Sequence, residues 1–197
     1  MVMARLRTVM LGVGMSLCSL YAGMYAFDAR GQDQLGASIS TNASVPNYVQ
    51  SNLPTARVVG QSRLKMYFFK IYDATLYAPF AKFDQGQPFA LSLAYLRDFE
   101  GADIAQRSID EMRDLGYQDT TQLAQWLIQM ELSFPNITEG DVLTGIVDAQ
   151  QHTQFYFNGQ PTHLVADPEF TQAFFAIWLD PNTSQPKMRK QLLGERK

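Results

Sequence analysis

Residues 66–77, Met-Tyr-Phe-Phe-Lys-Ile-Tyr-Asp-Ala-Thr-Leu-Tyr, crowd aromatic and β-branched side chains into one stretch that Pro79 closes. Such side chains lose rotamer freedom in a helix and suit the pleated surface of a sheet, so the stretch reads as a strand. Both of its faces are apolar, which implies a sheet covered on each side at this point. A second strand over 89–96 follows the Gly86-Gln87-Pro88 turn and sets Phe89, Leu91, Leu93 and Tyr95 on one face.

The period then changes from two to about four. Ile104, Ser108, Ile109, Met112 and Leu115 recur at helical spacing up to Gly116, and Leu123, Trp126, Leu127 and Met130 form a second stripe. Strands resume over 142–147 and 154–157, with Asn158-Gly159 as a hairpin turn into 162–165. Asp167-Pro168-Glu169 starts a helix well: a capping Asp, Pro at the first helical position, and an acid in the first turn. The stripe Phe170, Phe174, Ile177 and Trp178 follows, and a last short helix covers 186–193. The order implies an α+β fold with helices grouped on an antiparallel sheet.

The N-terminal region has a different texture. Arg5 and Arg7 precede a charge-free apolar run over 8–27, the pattern of an export signal that is also long enough to span a bilayer. Residues 1–27 are therefore expected to be a signal peptide or a retained membrane anchor, and either way the domain is delivered outside the cytoplasm. Residues 28–56, rich in Gly, Gln, Ser, Asn and Pro, read as a linker, and 57–197 as the domain. In this reading the membrane is met only through the N-terminal segment.

Composition narrows the chemistry. One cysteine, Cys18, excludes an internal disulfide and multi-cysteine zinc sites, and His152 and His163 alone leave little for a metal site or a His-based triad. Both histidines read as exposed residues in or beside a hairpin. A net charge of −3 argues against a sequence-independent hold on nucleic acid. No cofactor is implied. Chemistry must come from Arg, Tyr, carboxylates and shape.

The ordered segments GQSRLKMYFFKIYDATLYAP, DIAQRSIDEMRDLG, FPNITEGDVLTGIV and DPEFTQAFFAIWLDPNTSQPKMRKQLLG resemble the bacterial chalcone-isomerase-like family over about residues 57–194. The resemblance implies an open-faced β-sandwich: a large antiparallel sheet carrying a helical layer, with an apolar cleft between them. Plant chalcone isomerases close a flavanone ring with an Arg, a Tyr, an Asn and a pair of Thr. Carried over, the Arg falls on Arg63 and the strand Thr near Tyr72 or Asp73. The helix Tyr and Asn fall on Ile104 and Glu111, and the late Thr on or beside Ile177. One position of the five keeps its residue type, which speaks against chalcone cyclisation.

Fatty-acid-binding relatives of the same fold use the Arg and a strand Tyr to hold a carboxylate above an apolar tunnel. The resemblance thus implies Arg63 as the anchor for a small amphiphilic or aromatic acid, with Tyr72 or Tyr77 as the phenol. Tyr72 and Tyr77 are five apart and lie on opposite faces of a flat strand, so only one can enter the cleft, and Tyr72 sits nearer the family's position. Asp73 has two readings: an ion-pair partner of Arg63 or Lys70, or a general base if desolvated. The candidate catalytic residues are Arg63, Tyr72 and Asp73, in an intramolecular lyase (isomerase). The candidate ligand-binding residues are Arg63, Tyr72 and Tyr77. A non-catalytic envelope interaction module is the remaining alternative.

Overall fold

The computed structural model describes residues 44–195; the expected signal or anchor over 1–27 and most of the expected linker lie outside them. Six strands form one antiparallel meander in the order β1-β2-β3-β4-β5-β6. They are β1 Ala56–Met66, β2 Phe69–Pro79, β3 Phe89–Tyr95, β4 Val142–Val147, β5 Thr153–Phe157 and β6 Gln160–Val165. A short helix α1, Asn47–Asn52, precedes them. Helices α2 Gly101–Asp114 and α3 Thr120–Ser133 separate β3 from β4, and α4 Pro168–Leu179 and α5 Pro186–Leu192 close the chain. This is the expected α+β architecture of a large antiparallel sheet under a helical layer.

Period-two alternation sorts the strands into two faces. Ala74, Leu76, Ala78, Phe89, Leu91, Leu93, Tyr95, Leu143, Val147 and Phe155 face the helices and form the main core with Phe170, Phe174 and Trp178 of α4. The opposite face is covered only in part. There Tyr77, Ala90 and Ile146 form a smaller apolar cluster with Val49 and Leu53 on and after α1. α1 is thus packed structure where the sequence reading placed the end of a linker. It is too short, and its apolar residues too few, to carry a periodic signal.

The expected strand over 66–77 is a hairpin instead. Tyr67-Phe68 is the turn between β1 and β2, and the two strands pair from Met66↔Phe69 to Ala56↔Pro79. Strand β1 escaped the sequence reading because it is an edge strand with alternating polar residues and two register irregularities. The reading of two covered faces holds only at the Tyr77 end of β2. Toward Asp73 the face away from the helices is open.

The expected punctuation is present elsewhere. Gly116 closes α2 at φ 103°, and Asn158-Gly159 turns β5 into β6 with positive φ at both residues. Asp167 Oδ1 accepts hydrogen bonds from the Glu169 and Phe170 amides, while its Oδ2 accepts from Trp126 Nε1 at 2.9 Å. One carboxylate therefore caps α4 and ties it to α3. Gly145 lies under the Phe175 ring, where a Cβ would come within 2.8 Å of Cζ, so β4 and α4 approach as closely as they do only through a glycine.

Candidate functional site

Arg63 stands directly opposite Asp73 in the β1–β2 register. Its Nε and Nη2 donate to Asp73 Oδ1 and Oδ2 at 2.5 and 2.6 Å, a bidentate fork–fork pair. Each side chain is 40% exposed. The neighbouring Ser62 points the other way, donating to Gln191 Oε1 of α5, so Arg63 lies on the sheet face away from the helices. Its companions there are polar: Gln61 donates to Thr75 Oγ1 at 3.1 Å. Arg63 and Asp73 border an open depression of about 960 Å³ along the β1 edge, shared with Gln61, Lys65 and Glu195. The guanidinium is raised from its ordinary pKa by the hydrogen bond to Asp73 and by that carboxylate's charge. Asp73 serves as the ion-pair partner, with both of its carboxylate oxygens taken up by the guanidinium.

Tyr72 occupies the other face. Its hydroxyl accepts a hydrogen bond from Trp178 Nε1 at 2.9 Å, and its ring meets Tyr95 edge-on at 5.6 Å. Burial pushes the Tyr72 hydroxyl up to about 12, against the Trp178 bond, with the Glu111 carboxylate adding to the rise. Glu111 is itself buried and receives Arg107. Three of the positions to which the family resemblance points (Tyr72, Glu111 and the neighbourhood of Ile177) do converge between β2, α2 and α4. The groups they bring are a neutral phenol, a paired carboxylate and an indole.

Tyr77 is on the Arg63 side, as expected from the five-residue spacing from Tyr72, but four residues along β2 from Asp73, about 13 Å at a strand's rise. It is buried beneath α1, and burial, with Tyr48 nearby, raises its hydroxyl's pKa. Below α1 the hydroxyls of Tyr48, Thr144 and Ser92 form a chain of 2.8 Å hydrogen bonds. The structure therefore does not gather Arg63, Tyr72 and Tyr77 into one site: Arg63 and Tyr72 face opposite ways, and Tyr77 is walled off.

A hollow that the sequence did not reveal lies at the other end of the sheet. It has a volume of about 350 Å³ between the 83–86 loop, the start of β3, the β4–β5 turn and α4. Phe83, Phe89, Phe175 and Leu179 supply apolar wall, and Gln85, Gln151 and Gln172 supply amides. Gln151 sits at φ 63°, the left-handed region, in the β4–β5 turn. Its Nε2 is buried and has no hydrogen-bond partner among the described residues. Among the described residues, Asp180 is the only charged side chain that lines the hollow. No local motif announces this place, because four separate segments build it. Phe175 reads in sequence only as core, and the turn glutamine reads as solvent-facing.

Among the described residues no group of His, Cys, Asp and Glu could hold a metal ion, and no helix is long and apolar enough to cross a membrane.

The meander sheet with helices on one face defines a chalcone-isomerase-like, open-faced sandwich. The chain belongs to the chalcone isomerase-like family, whose model matches residues 43–194. That match takes in α1 as well. It is 32% identical over 131 residues to an uncharacterized protein of Haemophilus influenzae, an alignment covering 66% of this chain and 63%, less than two thirds, of that one. A fatty-acid binding protein of Arabidopsis thaliana has a similar fold, with a TM-score of 0.54 at 11% identity, covering 77% of this chain and 90% of that one.

Proposed function

We propose that this protein is an exported binding protein for a small amphiphilic molecule, held in the hollow beneath Phe83 and Phe175. The observation that carries this reading is the Gln151 amide, a buried donor with no partner on the wall of a cavity. A buried, unpaired donor costs about 1–3 kcal/mol, and a turn of the Gln151 side chain into the hollow would bring it to an acceptor on a ligand. The volume falls at the lower end of the range for small-molecule sites, which suits a short chain or a single ring.

The polar end of that molecule is uncharged. Among the described residues the wall carries no cation, and Asp180 would repel a carboxylate, whereas an alcohol, ester or amide can accept from Gln151 without meeting a like charge. Arg63 is a poor anchor by comparison, since its fork is already filled by Asp73 and its neighbours are polar. The isomerase reading has less support, because a phenol held neutral by burial is no base at neutral pH.

The test is titration with a medium-chain alcohol, its methyl ester and the matching fatty acid, read by native mass spectrometry and calorimetry. Uptake of the uncharged probes, weakened about tenfold or more by Gln151→Leu and unchanged by Arg63→Ala, supports the hollow. Preference for the acid, lost in Arg63→Ala, would move the site to the β1 edge. No uptake of any probe refutes a binding function of this kind.

A further inference from the structure

The turn of the β1–β2 hairpin breaks the usual chemistry of turns. Gly, Asn and Asp normally fill such positions because they tolerate positive φ, yet here the turn residues are Tyr67 and Phe68. Tyr67 sits at φ 54°, where a bulky side chain is strained. Among the described residues nothing packs on these rings: Tyr67 is 92% exposed and Phe68 98%, and Met66 and Phe69 beside them are about half exposed. Apolar residues held in water on a strained turn point to a contact outside the domain.

The tip stands clear of its neighbours. Pairing of β2 with β3 starts at Tyr72↔Tyr95, so residues 65–70 extend past the rest of the sheet as a two-stranded finger. Its flanks are basic. Lys65 and Lys70 pair across the finger, and the Arg97 guanidinium lies 4.3 Å over the Phe69 ring. There is no acidic residue from 64 to 72, although the whole chain carries a net charge of −3. Positive charge is thus gathered on the finger itself, while the acids at this end of the sheet, Asp98, Glu139 and Asp141, sit behind it on the loops beside Tyr95.

We propose that this finger, with Met66, Tyr67, Phe68 and Phe69 at its tip and Lys65, Lys70 and Arg97 as its collar, docks the domain on an anionic lipid surface. Aromatic rings at headgroup depth with cations at the phosphates are the arrangement an interface favours. A convex tip of four side chains is too small for a stable protein interface, which takes about 800 Å² from each partner. The proposal is independent of what fills the hollow.

The test uses the full chain carrying Cys18→Ser and Phe68→Cys, labelled with an environment-sensitive fluorophore and mixed with phosphatidylglycerol-containing vesicles. The expected result is a blue-shifted emission, quenched by nitroxide lipids. The same label at Gln125→Cys, exposed on α3, should stay in water. Lys65→Gln/Lys70→Gln should lower the shielded fraction at limiting lipid about thirtyfold, as loss of two surface-bound cations implies. The inference is overturned if the label at 68 stays in water on vesicles that hold the protein. It is equally overturned if the label is shielded without lipid in a concentration-dependent way, because the tip would then cover a second copy. Because residue 68 packs against nothing, loss of folding does not confuse the result.

Discussion

Gly145→Ala tests the closest contact between the sheet and α4, and with it the wall of the hollow. The new Cβ would stand 2.8 Å from Phe175 Cζ and 3.3 Å from Phe155 Cε1. Carbon atoms rest at about 3.5–4.0 Å, so the Phe175 ring must withdraw by roughly 1 Å. It has little room. Phe89 meets it edge-on at 4.8 Å and Phe174 at 5.2 Å, and the ring is 3% exposed. The open direction is the hollow that Phe175 lines. Overpacking of this kind costs about 1–3 kcal/mol, and at about 2–4 °C per kcal/mol for a domain of this size the melting temperature should fall by roughly 2–12 °C. Circular dichroism melts of wild type, Gly145→Ala and Gly86→Ala measure it. Gly86→Ala is the control, as a Cβ there meets only Asp84 Oδ1 at an ordinary 3.6 Å. The variant should also take up less of an uncharged amphiphile. A Gly145→Ala protein that melts with wild type and binds as well would refute the packing of α4 on β4 argued above.

Further expectations concern the polar contacts. Asp167→Ala removes the α4 cap and strands the Trp126 indole, so it should cost about 2–4 kcal/mol in denaturant melts, with Asp167→Asn recovering part. Tyr72 ionises near 12 in the folded chain and near 10 when unfolded, so the fold is fully favoured below pH 10 and loses stability as pH rises toward 12. The slope is about 1.4 kcal/mol per pH unit for each such tyrosine, and Tyr95, raised by burial in the same way, adds to it. Alkaline unfolding that sets in well below pH 10 would contradict this. Trp178→Phe removes the bond that holds the Tyr72 pKa down, and the phenolate absorbance of the native protein should then emerge at still higher pH.

Where local chemistry decides conformation, the sequence was readable. The helical stripes of α2, α3 and α4, the Asn158-Gly159 turn and the Asp167 cap all came out at their expected places, because spacing, positive φ and amide capping act within a few residues. β3 and β4 were readable for the same reason. The 66–77 stretch misled because composition cannot distinguish buried aromatic residues from aromatic residues held out on a turn. The polar alternation of β1 gave no apolar pattern to find, and α1 takes its order from Tyr77, Ala90 and Ile146 on strands far along the chain.

The site divided along the same line. Spacing alone put Tyr72 and Tyr77 on opposite faces, and the residue type of Asp73 already suggested a partner for Arg63. Which face Arg63 takes depends on the register of β1 against β2, a long-range pairing, and that register turns it away from Tyr72 and toward Asp73. The hollow was beyond any linear reading, for Phe83, Gln151 and Phe175 become neighbours only when sheet and helix close on each other. By itself the sequence determined the family, the fold class and the local elements, since these rest on pattern and short-range geometry. Tertiary structure alone decided which side chains share a surface, because strand register and helix docking are set by burial summed over the whole domain.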